Sequence, residues 1–201
     1  MEQLIVVFII LVVILSLFMK FEGKNGDLVY VRSPIDGREY QVRNREDKQM
    51  AADLLARVNR KLGAIVDYVR DNNDTEDGRR LVSNYNPGVI SESLSDSSHT
   101  SYSVNKGEKV VFCIRSKDTK EELVDENTMT FVAIHELAHL MTKSIGHGED
   151  FWENMRYLLK VAIQLGLYQK QDFRANPVTY CGTRITDTPL NSESKSDKEE
   201  D

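Results

Sequence analysis

The segment His135-Glu136-Leu-Ala-His139 constrains this chain most, because it sits inside a helix that is apolar on nearly every side. Met129, Phe131, Val132, Ile134, Leu137, Ala138, Leu140 and Met141 surround it, so the helix is buried, with Asp125 or Asn127 available to cap its start. Two imidazoles at i and i+4 stand one turn apart on one face, with roughly 5–6 Å between Cβ atoms, close enough to share one tetrahedral zinc ion. Glu136 is beside the first of them. It is placed to take a proton from water at the metal without displacing a ligand. The alternative is a pair of hydrogen-bonded core histidines, but three buried polar groups together without a metal would be costly, which favours a metal between them.

The third ligand follows after a short turn. The helix is expected to end near Lys143 or Ser144, with Gly146 supplying the positive φ of a helix stop, and His147 comes next. Glu149 and Asp150 then open another helix, whose buried face is Phe151, Met155, Leu158, Leu159, Ala162 and Ile163. His147 is the expected third metal ligand. Glu149, Asp150 and Glu153 compete with it, since a carboxylate also completes catalytic zinc sites. His99 lies in a Ser/Thr-rich loop and reads as a surface residue.

Upstream, Leu28–Arg32 and Glu39–Arg43 flank Ser33-Pro-Ile-Asp-Gly37, a hairpin pattern. The stretch 45–71 carries one apolar stripe, Met50, Leu54, Leu55, Val58, Leu62, Ile65, Val66 and Val69, and predicts a long helix. A short helix is expected over 79–85. Strands are expected over 89–94, 101–104 and 109–115, the last two joined by Asn105-Lys106-Gly107. The 109–115 strand, just before the zinc helix, reads either as an exposed edge able to pair with an extended peptide or as an ordinary sheet strand.

Charge excludes one class of partner. Of the formal net charge of −6, the segment from Asp187 to Asp201 carries −4, with six acids and two lysines, so the rest is nearly neutral. With no basic patch, no nucleic acid is expected as a partner. At the other end, Leu4 to Met19 is apolar apart from Ser16, and Lys20 and Lys24 follow it while Glu2 precedes it. This reads as an uncleaved single-pass transmembrane anchor over 1–20 and a linker over 21–27, with the catalytic domain on the cytoplasmic side. The domain proper is expected over 28–186, and the acidic tail over 187–201 as disordered. Cys113 and Cys181 are too few for a disulfide framework and read by default as buried thiols, with a single bridge between them as the alternative.

Asn105-Lys-Gly107, the strand Val110–Arg115, His135-Glu-Leu-Ala-His139 and His147-Gly-Glu-Asp-Phe151 together resemble the WLM-domain metallopeptidases, and more distantly the SprT-like ones, over roughly 89–165. The resemblance implies that His135, His139 and His147 bind zinc and that Glu136 is the general base. Ile35–Tyr40 and Tyr180-Cys-Gly182 also look like short uncharacterised proteins of large DNA viruses, which would put the domain in a virion interior. The expected architecture is therefore an α+β, zincin-like domain: a small antiparallel or mixed sheet beside the HExxH helix. The expected function is a membrane-anchored zinc metallopeptidase that holds one zinc ion and acts on protein or peptide substrates; Tyr157 and Tyr180 are candidate oxyanion donors, though both read first as packing aromatics. The alternative is a catalytically idle membrane or virion protein whose zinc only stabilises the fold, for which Glu136 would be superfluous.

Overall fold

The computed structural model describes residues 28–97 and 100–195, with Ile10 apart from them, and places them in an α+β fold. Leu28–Arg32 (β1) and Glu39–Arg43 (β2) form the expected antiparallel hairpin, with Leu28 opposite Arg43. A helix over Lys48–Asn72 (α1) buries Leu54, Leu55, Val58, Leu62, Ile65, Val66 and Val69, the stripe read from the sequence, although Met50 at its start is exposed. Glu76–Asn84 (α2) begins at Thr75, whose hydroxyl accepts from Gly78 N.

Ile90–Glu92 (β3) runs parallel to β2, and Lys109–Phe112 (β5) runs parallel to β3. Ser101–Val104 (β4) turns back antiparallel on β5, giving a mixed sheet in the order β1-β2-β3-β5-β4. The outermost strand at that end is therefore β4, and β5, for which the sequence left open an edge or an ordinary sheet strand, lies inside. The β4–β5 turn needs its sequence: Asn105 and Lys106 take positive φ, and a Cβ on Gly107 would lie 2.3 Å from the Asn84 carbonyl oxygen.

The zinc-motif helix is Glu126–Met141 (α3), capped by Asp125, whose carboxylate accepts from Thr128 N. Its Glu126 receives Arg57 at 2.6 Å and Lys61 at 2.7 Å from α1, fixing the two helices' relative position. Glu149–Gln164 (α4) packs against α3 and also touches α1. A buried Arg115 joins Glu92 of β3 to Asp47 at the start of α1, so the sheet and that helix share an ionic tie. Arg43 extends the cluster to Glu121.

The C-terminal part is a hairpin of Val178–Tyr180 (β6) and Thr183–Ile185 (β7), then a 3₁₀ turn over Pro189–Lys195. Cys113 and Cys181 are joined in a disulfide, so the default reading of free thiols gives way to the bridge. Sixty-eight residues apart in sequence, they clamp this hairpin to the end of β5. Thr188 and Leu190, which the sequence assigns to the tail, are buried and belong to the fold.

The expectation of a single-pass membrane protein is corrected here. No helix among the described residues is long and apolar enough to cross a membrane. The segment that suggested an anchor, residues 1–20, lies almost wholly outside the described residues, as does His99. An apolar run of sixteen residues is at the short end for a span, and hydropathy alone does not make it one.

Candidate metal centre

Helix α3 places His135 and His139 one turn apart, and the loop 142–148 brings His147 back over them. Nε2 of His135 lies 3.2 Å from Nε2 of His139 and 3.0 Å from Nε2 of His147. One ligand atom from each of the three lies within 4.8 Å of the others, the only such group of histidine, cysteine and acidic residues among those described. Tetrahedral zinc with bonds of about 2.0–2.1 Å separates its ligand atoms by roughly 3.3 Å, close to the two spacings from His135. The competing acids do not join it: Asp150 accepts from Ser144 Oγ at 2.6 Å, while Glu149 and Glu153 line a neighbouring cavity.

The imidazoles are held in the form that coordinates. Burial, reinforced by the adjacent rings, pulls His135 down to about 3 and His139 to about 4, so both are neutral at ordinary pH. Apolar packing fixes their orientation. Phe151, fully buried, lies 4.9, 4.4 and 4.6 Å from the ring centres of His135, His139 and His147, one aromatic side chain beneath all three. Trp152 stacks on His147 at 5.6 Å.

Glu136 is buried on the adjoining face of α3 and accepts a hydrogen bond from the Ser103 hydroxyl of β4. Burial pushes its carboxyl up to about 7, against the pull of that hydrogen bond. A carboxylate so placed is poised to exchange a proton near neutrality. His135, Glu136, His139 and His147 all line one cleft of about 720 Å³, walled by β4, by Ile145 of the loop, and by Tyr180, Thr183 and Ile185 of the C-terminal hairpin.

The two tyrosine candidates part company. Tyr157 packs partly buried against the core and does not line the cleft. Tyr180 does, but its hydroxyl donates to the Cys113 carbonyl at 2.5 Å and sits 3.1 Å from Ser101 Oγ. Its proton is committed, and Tyr180 is a brace between hairpin and sheet.

The end of α3 is also set differently from the sequence expectation. The helix stops at Thr142, whose extended backbone ends it, and Gly146 with φ of 91° serves the loop instead. The last carbonyls find side-chain donors from distant elements: Asn84 donates to Leu140 O, Arg80 to Met141 O, and Lys106 Nζ to the carbonyls of His139, Thr142 and Ser144. Lys106 thus ties the second histidine's turn to the loop carrying the third. Lys106→Met is expected to lower stability by about 2 kcal/mol and to weaken zinc binding measurably, with urea unfolding and zinc titration as the readouts. Ser103 carried no sequence signal, and Lys106 and Phe151 were legible only as a turn residue and a buried helix position, since their roles here depend on contacts across elements.

No protein-family model matches the chain. It is 28% identical over 187 residues to the uncharacterized protein R325 of Acanthamoeba polyphaga mimivirus, covering 90% of this chain and 94% of that one. It is 41% identical over 69 residues to the uncharacterized protein 042R of Invertebrate iridescent virus 3, covering 34% of this chain and 42% of the relative. These relatives are viral, in keeping with the second resemblance. Among solved structures, Wss1 from Saccharomyces cerevisiae is similar at a TM-score of 0.46 and 19% identity, over 68% of this chain and 98% of that one. Likeness at that level says nothing about activity.

Proposed function

We propose that this chain is a zinc-dependent peptidase. What carries the reading is the convergence of the three imidazole nitrogens beside a buried carboxylate that has no ion-pair partner among the described residues, in an open cleft with an edge strand along one wall. A site that served only to hold the fold together would be closed by a fourth protein ligand and would gain nothing from Glu136. Bound zinc would supply the Lewis acidity that polarises a carbonyl and acidifies water. The chain's own residues supply the rest. His135, His139 and His147 hold the ion, Glu136 receives a proton from water and returns it to the leaving amine, and Ser103 holds the Glu136 carboxylate in place. β4, residues Ser101–Val104, is the outermost strand of the sheet and lines the cleft, so an extended substrate can align along it.

Hydrolysis of unfolded protein substrates tests this. Activity is expected with one equivalent of zinc, to vanish on chelation, and to return when zinc is restored. Protein that retains zinc yet cleaves no peptide across a diverse library would instead favour a structural metal.

A further inference from the structure

A second cavity, of about 670 Å³, opens off the same helix. Phe131 and His135 line both it and the metal cleft, so the two spaces adjoin at one turn of α3. Its apolar lining includes Phe131, Met155 and Pro189, with Trp152, an aromatic left 39% exposed, beside them. The opposite wall is the C-terminal segment, and it is firmly held. Arg156 donates from Nε to Pro189 O at 3.1 Å and from Nη2 to Ser192 Oγ at 2.8 Å, and Arg174 grips Asp187 through two hydrogen bonds. Both arginines are thereby occupied in building the pocket.

We propose, resting on the peptidase reading above, that this cavity is the subsite that selects substrates by taking a bulky apolar side chain, aliphatic or aromatic, next to the scissile bond. Glu149 and Glu153, one turn apart at the pocket and without ion-pair partners among the described residues, raise the rival of a lysine or arginine occupant. Magnitudes decide between them. An exposed charge pair is worth about 1.5- to 5-fold in affinity, whereas burying a side chain of leucine or phenylalanine size is worth roughly 10- to 100-fold. The apolar occupant wins, and the two acids act against substrates with aspartate or glutamate there.

Trp152 is the chain's only tryptophan, so its emission reports occupancy of this cavity directly. The experiment uses zinc-loaded Glu136→Gln protein, titrated with blocked hexapeptides that carry Leu, Phe, Arg, Glu or Ala at each position in turn. At one position, Leu and Phe are expected to bind at least tenfold more tightly than Ala and to shift Trp152 emission to shorter wavelength, with Glu the weakest. Ser192→Phe and, separately, Glu153→Phe, both at exposed positions, should shrink that preference below threefold while zinc content stays the same. Preference for Arg over Leu and Phe, a flat profile, or a preference untouched by both filling variants would overturn the assignment. If the wild-type protein still cleaves peptides in those cases, the peptidase reading survives and the subsite alone falls; zinc-loaded protein that neither binds nor cleaves any peptide removes both.

Discussion

Glu136→Gln is expected to retain one zinc per chain and to lose peptide hydrolysis by a factor on the order of 10² to 10⁴, the usual worth of a positioned general base. The amide matches the carboxylate in size and can still accept from Ser103, so the buried site keeps its packing and loses only the proton acceptor. Zinc affinity should change little, because the three imidazoles and Phe151 beneath them are untouched. Steady-state cleavage of a fluorogenic peptide, with metal analysis on the same samples, checks both halves. Activity within tenfold of wild type would remove Glu136 from the chemistry.

The second large effect concerns His147, which stands exposed on a loop while the other two histidines are rooted in α3. His147→Ala should weaken zinc binding on the order of 100-fold or more, since one of three ligands goes. At saturating zinc that factor removes about 2.7 kcal/mol of metal-dependent stability. Without zinc, truncating an exposed side chain should alter stability by no more than about 0.5 kcal/mol. Thermal unfolding with and without zinc separates the two terms. Alanine at Glu149, Asp150 or Glu153 should leave zinc in place, because none of them converges on the imidazoles. Full zinc retention in His147→Ala, with loss in one of the acid variants, would make the site a two-histidine, one-carboxylate type.

The legible parts of this chain were those governed by local periodicity. The apolar stripe of α1, the Asp125 cap of α3 and the i, i+4 spacing of His135 and His139 are each written within one helix, and the β1–β2 and β4–β5 turns announce themselves through their turn residues. What escaped depends on contacts between distant segments. Strand order is one case: the parallel pairing of β3 with both β2 and β5 puts β5 inside the sheet and β4 outermost. The Cys113–Cys181 bridge is another, since 68 residues of separation leave no local trace. Lys106 reads as a turn residue, yet it collects three carbonyls at the end of α3. The partner of the Tyr180 hydroxyl, the Cys113 carbonyl, likewise lies 67 residues away, although a packing role for that ring was the favoured reading of the sequence. The amino-terminal run shows the opposite failing, in which hydropathy invited a membrane placement that no described helix supports.

The proposed chemistry depends on where the metal sits. Anomalous diffraction at the zinc absorption edge, on crystals grown with one equivalent of zinc, tests that directly. The expected result is a single peak about 2.0–2.1 Å from Nε2 of His135, His139 and His147, with Glu136 beside it and not bound to it. No peak there, a peak held by Glu136, or a peak bound to Glu149, Asp150 or Glu153 with His147 turned away would contradict the account.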